Sequence, residues 1–109
     1  MTVYHIVLFR LKQGVTSAQL SAWKNTSQGM VGKIPGLISI HANSPLPISV
    51  PRAKGFDFGL VAVLESPEHV EGYSKHPVHL ESQKLRLDLC EDTLAYDLEF
   101  EAPTREKKD

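Results

Sequence analysis

Cysteine is nearly absent from this sequence: the 109-residue chain contains only Cys90. A single thiol cannot form an internal disulfide, and it excludes a metal site built from several cysteines. Cys90 lies among leucines, which favours a buried and unreactive thiol over a nucleophile. The scarcity of cysteine also predicts a reducing compartment, the cytoplasm.

The sequence also lacks an excess of either charge and any long apolar run. Twelve Lys and Arg residues stand against 13 Asp and Glu residues, for a formal net charge of −1. Without a basic excess, no nucleic-acid partner is expected. No apolar stretch reaches the roughly 18 residues that a membrane-spanning helix needs, so no membrane partner is expected. Because the first predicted strand begins at residue 3, we also expect no signal peptide.

The hydrophobic pattern predicts four strands and three helices within one domain. Alternating apolar residues predict strands over residues 3–12, 37–43, 56–65 and 93–100. Helical spacing, a capping box of Thr16 and Gln19, and Pro67 and Pro77 at first helical positions predict helices over residues 16–33, 66–74 and 77–89. Prolines 45, 47 and 51 predict a long connection, and not a central strand, between the second and third strands.

This order of elements is that of a split strand-helix-strand, or ferredoxin-like, domain. The predicted fold class is therefore α+β, with a four-stranded antiparallel sheet and all helices on one face. The other face also carries apolar side chains, so we expect a second copy to pack against it about a two-fold axis and form an α+β barrel. The domain is predicted to span residues 1–102. The polar residues 103–109 are predicted to form a disordered tail.

The segment from Tyr73 to His79 brings one phenol and two imidazoles together within seven residues. Tyrosine and histidine are side chains that transfer protons to and from small molecules near neutral pH. Pro77 is typical of the first position of a helix, so the segment is expected to separate two helices and to line the mouth of a cavity. His76 precedes this proline, and an alternative role for it is to cap backbone groups.

An ordered set of motifs over residues 3–100 resembles the stress-responsive dimeric α+β barrel (Dabb) family. The motifs are residues 4–10, 14–16, 31–36, 54–59 and 64–66, Tyr73 with residues 76–79, and residues 92–97. The resemblance implies a homodimer in which two sheets form a barrel. The family includes stress-induced plant proteins without assigned chemistry, some of which hold a metal ion. It also includes a plant polyketide cyclase that closes an aromatic ring by aldol condensation.

The similarity to the cyclase implies catalytic roles for Tyr73 and His79, which match its tyrosine–histidine pair. His79 would act as the general base and Tyr73 would donate a hydrogen bond to a developing enolate oxygen. His5 is shared as well and could orient the substrate. The chain departs from the cyclase at Ser27, where the cyclase has a tyrosine, and at Phe58, where it has a histidine.

The predicted function is the binding of an apolar or polyketide-like molecule in an internal cavity, with cyclase-like or lyase-like catalysis and neither cofactor nor metal. The residues predicted to contact this molecule are His5, Val7, Phe9, Trp23, Ser27, Phe58, Leu60, His76 and Val78. Two alternatives stay open: a non-catalytic stress-responsive binding protein, and a structural dimer whose cavity is filled by side chains. Trp23 also fits a purely structural place in the core.

Overall fold

A four-stranded antiparallel sheet forms the centre of the fold, as predicted. The computed structural model describes residues 1–101, so the predicted tail at residues 103–109 lies outside the described part of the chain. The elements are β1 (Thr2–Leu11), α1 (Ser17–Gln28), β2 (Leu37–Asn43), a 3-10 helix (Pro47–Arg52), β3 (Phe58–Leu64), α2 (Pro67–Lys75), α3 (Pro77–Leu89) and β4 (Cys90–Phe100). The strand order is β2-β3-β1-β4, and the predicted ferredoxin-like α+β class is confirmed.

The inner face of the sheet packs against the helices and forms the core. β1 lies between β3 and β4, and its partner pairs Val7–Leu60 and Phe9–Phe58 are buried. Trp23 of α1 packs against both phenylalanines, with ring centroids 4.7 Å from Phe9 and 5.0 Å from Phe58. This aromatic cluster holds α1 on the sheet.

The outer face of the sheet, which points away from the helices, carries apolar side chains that are open to solvent in the single chain. Its cross-strand pairs between β1 and β4 are Tyr4–Leu98, Ile6–Tyr96 and Leu8–Leu94. On this face, Tyr96 is 61% exposed and Leu94 is 45% exposed. Apolar faces of this kind mark interaction surfaces.

Strand β2 departs from the simple alternation expected from its sequence. Simple alternation along this strand places Leu37 on the same side as His41, opposite Ile40. A register shift between Leu37 and Ser39 instead turns Leu37 to the inner face, where it pairs with Leu64. Both Leu37 and Ile40 are therefore buried, because the bulge changes which side chains share a face.

Helix α1 is shorter than the predicted segment that ends near residue 33. It begins with the predicted capping box of Thr16 and Gln19, and it ends at Gln28, with Gly29 as its C-cap. Gly32 then has φ of +90°, a left-handed conformation that interrupts helical hydrogen bonding. Met30 and Ile34 follow the helix in turns and are still buried.

As predicted, the connection over residues 44–54 is not a strand. It contains the 3-10 helix Pro47–Arg52. In the part of the chain that the structure describes, no helix is both long enough and apolar enough to cross a membrane.

We expect Ser27→Ala to raise the free energy of unfolding. Ser27 is 1% exposed, and its hydroxyl has no hydrogen-bond partner within residues 1–101. Removing a buried hydroxyl without a partner should stabilise the fold by about 1 kcal/mol. Ser21→Ala, at an exposed position of the same helix, is the control for helix propensity. Urea unfolding should show a larger gain at position 27, and an equal gain at both would contradict the assignment.

Candidate functional site

The site is built at the break between α2 and α3. Ser66 caps α2 and Pro67 opens it, while Pro77 opens α3. His76 lies between the two helices and is the N-cap of α3: its Nδ1 accepts a hydrogen bond from the Val78 N–H at 3.1 Å. This cap fixes the angle at which α3 leaves α2, and it gives His76 the structural role described as the alternative.

Tyr73, in the last turn of α2, is held between two imidazoles. Its ring centroid lies 5.4 Å from that of His5 on β1 and 4.4 Å from that of His79 on α3. Tyr73 is 3% exposed, and the hydrogen bonds that orient the two imidazoles, to Asp97 and to the Ser74 carbonyl, do not involve its hydroxyl. A phenol in this position can hydrogen-bond to a molecule bound in the adjacent space.

His5 is oriented by the neighbouring strand. The register of β1 and β4 places His5 opposite Asp97, and the His5 Nδ1 lies 2.5 Å from an Asp97 carboxylate oxygen. A carboxylate only accepts, so Nδ1 carries the proton. The Nε2 atom is then left for other partners when the ring is neutral.

His79 is oriented in the same way by the backbone. Its Nδ1 donates a hydrogen bond to the Ser74 carbonyl oxygen at 3.2 Å. This bond selects the tautomer in which Nε2 holds the lone pair. His79 therefore presents a proton acceptor from a fixed ring, which is what a general base requires.

Burial shifts the pKa values of the two residues so that both are neutral near pH 7. Desolvation raises the pKa of Tyr73 to about 12, so its hydroxyl keeps its proton. Desolvation lowers the pKa of His79, and the charges of His5 and Arg86 lower it further, against the opposing effect of the Ser74 hydrogen bond. The site thus pairs a hydrogen-bond donor with an uncharged proton acceptor.

Tyr73 and His79 open onto a cavity of about 220 Å³ between the helices and the sheet. Its apolar lining residues are Val7, Phe9, Trp23, Leu60 and Ala95. Its polar lining residues are His5, Tyr73, Ser74, His79, Ser82, Gln83 and Arg86. An apolar pocket with a few convergent polar groups is the usual form of a small-molecule site.

Seven of the residues predicted from the sequence line this cavity, and four lie elsewhere. Phe58 stacks on Trp23 in the aromatic core, and Ser27 is sealed in the core without a partner. Val78 packs against the core from α3, and His76 caps that helix. These four side chains are therefore placed by packing or capping, and not by the cavity.

Five lining residues were missed by the sequence reasoning: Ser74, Ser82, Gln83, Arg86 and Ala95. Three of them follow His79 at intervals of three, four and seven residues, which places them on one face of α3. Helical spacing counted from His79 would have found this stripe. The apolar residues of α3, which are Val78, Leu85 and Leu89, lie beside this stripe and pack against the core.

Cys90 is half-buried against the core, and desolvation raises its pKa to about 11. It is therefore protonated near pH 7, as expected of an unreactive thiol. Within residues 1–101, no three His, Cys, Asp or Glu side chains are grouped so that they could hold a metal ion.

Comparison with known families identifies the fold. The family model described as the Stress responsive A/B Barrel Domain, Dabb, matches residues 3–100. The chain belongs to the Dabb family. No curated protein gives a significant match to the sequence.

Solved structures of several other proteins share the architecture. A dimeric ferredoxin-like protein of unknown function from Thermobifida fusca is 25% identical, with a TM-score of 0.78 and 92% of each chain covered. A protein from Arabidopsis thaliana is 22% identical, with a TM-score of 0.81, covering 94% of this chain and 98% of that one. The hydroxynitrile lyase of Passiflora edulis is 20% identical, with a TM-score of 0.80, covering 94% of this chain and 96% of that one. These similarities confirm the fold that the Dabb domain of this chain adopts.

We expect His76→Ala to lower the free energy of unfolding by about 1 kcal/mol, because alanine cannot accept the Val78 N–H hydrogen bond. His76→Asn should restore most of this loss, since asparagine is a good N-cap. Urea unfolding of the three proteins measures the effect. Equal stability of wild type and His76→Ala would contradict the capping role.

Proposed function

We propose that this Dabb protein is a homodimer that catalyses proton transfer on a small carbonyl compound, making or breaking a carbon–carbon bond in a lyase-like or cyclase-like reaction. The observation that carries the proposal is the burial of Tyr73 between His5 and His79 at the wall of a cavity. These groups supply a donor and an acceptor to the same bound molecule. The chemistry needs no cofactor, because both groups belong to the chain.

In the proposed step, His79 accepts a proton at Nε2 from an acidic C–H or O–H group of the substrate. Tyr73 donates a hydrogen bond to the oxygen on which negative charge develops. For addition, the resulting carbanion attacks a carbonyl carbon and the alkoxide takes the proton back from His79. For cleavage, deprotonation of a hydroxyl lets the carbon–carbon bond break, and the leaving carbanion takes that proton.

The cavity limits the size of the substrate. Drug-sized ligands occupy pockets of roughly 300–1,000 Å³, whereas this cavity measures about 220 Å³. A compound with one ring or a short chain fits this volume better than an extended polyketide. The expected ligand is therefore smaller than the polyketide-like molecule predicted from the sequence.

The Passiflora edulis neighbour is a hydroxynitrile lyase with the same fold. Its class of reaction, the reversible joining of cyanide to a carbonyl carbon, needs proton transfer at a hydroxyl and stabilisation of charge on oxygen. The family cyclase, which the sequence resembles, uses the same kind of step in an aldol condensation. Both support carbonyl addition chemistry as the class to test.

The outer face supports the proposed homodimer. Its apolar pairs across β1 and β4 would be buried if a second sheet packed on them. The Thermobifida fusca neighbour is a dimeric protein of this fold.

Replacing the proposed base should abolish most activity. In an assay of small aldehydes, ketones, 2-hydroxynitriles and diketones, we expect His79→Ala to lower kcat/KM by at least about 100-fold for a compound that the wild type turns over. Tyr73→Phe keeps the ring and should lower kcat more than it raises KM. His76→Asn, which keeps the cap, is the control and should retain activity.

A loss of tenfold or less in His79→Ala would exclude this residue as the base. Thermal stabilisation of the wild type by these compounds, without turnover, would instead favour the non-catalytic binding protein. A bulky residue at Leu60, such as Leu60→Trp, should then abolish that stabilisation.

The pH profile should report His79. The base acts only when neutral, and burial lowers its pKa below the ordinary value of about 6.5. We therefore expect kcat/KM to persist below pH 6.5 and to fall as the pH drops through the lowered pKa, where the imidazole gains a proton. Initial rates between about pH 4 and about pH 9 measure this limb. A fall that begins well above pH 6.5 would contradict the assignment.

The outer face can be tested by a matched pair of substitutions. Leu94→Glu places a charge on the outer face and should convert the dimer to monomers. Leu87→Glu makes the same change at an exposed leucine of α3 and should leave the dimer intact. Light scattering after size exclusion gives the mass of each variant. A monomeric wild type, or a dimeric Leu94→Glu, would contradict the proposed interface.

A further inference from the structure

The face of α3 that meets the cavity is polar. His79, Ser82, Gln83 and Arg86 follow one another along one side of the helix, and all four line the cavity. A helix normally turns an apolar stripe toward the sheet beneath it. Here the apolar stripe with Leu85 and Leu89 packs beside the polar one, so packing of the core does not account for the polar residues.

Arg86 is the charged member of this stripe and is half-buried. In the described part of the chain, it forms no ion pair, and its guanidinium donates no hydrogen bond. Among the residues that the structure describes, no Asp or Glu side chain lines the cavity beside it. Glu91 and Asp92 share a shallow surface depression with Arg86, but Asp92 pairs with Arg10.

Arg10 is an example of a structural arginine in this chain, because its guanidinium has several partners. It pairs with the Asp92 carboxylate at 3.2 Å, donates to the Lys54 carbonyl oxygen at 3.0 Å and lies over the Phe56 ring. Arg86 has no equivalent set of partners within residues 1–101. A guanidinium whose fork of donors opens onto a cavity is suited to bind a carboxylate from a ligand.

We propose that Arg86 binds the carboxylate of the ligand, so that the substrate class is a small carboxylic acid that also carries a carbonyl or hydroxyl group. This inference rests on the proposed function, because it places the reacting end of the same molecule at Tyr73 and His79. Seven residues separate His79 from Arg86, which is about 10 Å along a helix axis. The flexible arginine side chain can shorten this span, and Ser82 and Gln83 supply further hydrogen bonds between the two ends.

The charges of the site agree with an anionic ligand. The positive charge of Arg86 lowers the pKa of His79, and a bound carboxylate at Arg86 would offset part of that effect. Binding would thus make His79 a stronger base when substrate is present. An apolar body between Phe9, Trp23 and Leu60 would complete the ligand.

The test compares isosteric acids and amides, such as benzoate with benzamide and phenylacetate with phenylacetamide. Affinities are measured at pH 7 by NMR titration of the full-length protein, with the shifts of His79 and Ser82 used to locate the ligand. We expect each acid to bind at least about tenfold more tightly than its amide, as a charge-assisted bidentate contact implies. In Arg86→Gln the ratio should fall to about one while the amide affinity changes little.

Two further variants separate a specific contact from a general loss of charge. Lys84→Gln removes the same charge from an exposed position of α3 and should keep the wild-type ratio. Arg86→Lys keeps the charge but loses the planar fork, so an intermediate ratio is expected. If Arg86→Gln does not fold, the acid-to-amide affinity ratio of Arg86→Lys still tests the contact.

Equal affinities for acid and amide in the wild type, a ratio that survives in Arg86→Gln, or no binding of either compound would overturn the assignment. Turnover separates this result from the proposed function. Binding of these acids through Arg86, in a protein that turns over none of the carbonyl compounds or hydroxynitriles and none of their carboxylated analogues, would support the carboxylate site and contradict catalysis. Turnover of neutral aldehydes or hydroxynitriles by the wild type, together with equal affinities for acid and amide, would support catalysis and contradict the carboxylate site.

Discussion

The contact of Tyr73 with two imidazoles depends on a single backbone feature, the break between α2 and α3. Pro77 cannot continue α2, because it lacks the N–H that a helix interior needs. His76 caps the new helix through the Val78 N–H, so α3 starts directly and at a fixed angle. Tyr73 is consequently in the last turn of one helix and His79 in the first turn of the next, with ring centroids 4.4 Å apart. A continuous helix would have separated them along one axis.

The strands of the sheet supply the second imidazole, that of His5. β1 lies in the centre of the sheet, where both neighbours hold it, and its register with β4 sets His5 opposite Asp97. Both histidines therefore have Nδ1 engaged, one by a carboxylate and one by the Ser74 carbonyl. Each ring has its orientation and tautomer set from outside the cavity. This is how a small fold can present two oriented imidazoles to one phenol.

Local sequence rules were sufficient for the elements and for the break, but not for the cavity. The capping box at Thr16 and the prolines at 67 and 77 act on neighbouring residues, so their effect could be predicted. The bulge in β2 depends on pairing with β3 and reversed the side on which Leu37 was expected. Phe58 and Ser27 were expected at the cavity, yet packing against Trp23 and burial in the core decide their positions. Such outcomes depend on contacts between distant residues, which periodicity does not contain.

The departures at Ser27 and Phe58 bear on how the ligand would be oriented. The cyclase that the sequence resembles has a tyrosine and a histidine at these positions, on the first helix and third strand. In this chain both positions belong to the core, so α1 and β3 offer the cavity only apolar groups, Trp23 and Leu60. The polar groups beyond Tyr73, Ser74 and the histidines come instead from α3. In the proposed site, α3 therefore recognises the half of the ligand that lies away from the reacting atoms. Compared with the cyclase, the acid–base pair is the same but the polar residues that contact the rest of the ligand come from α3, so a different substrate is expected.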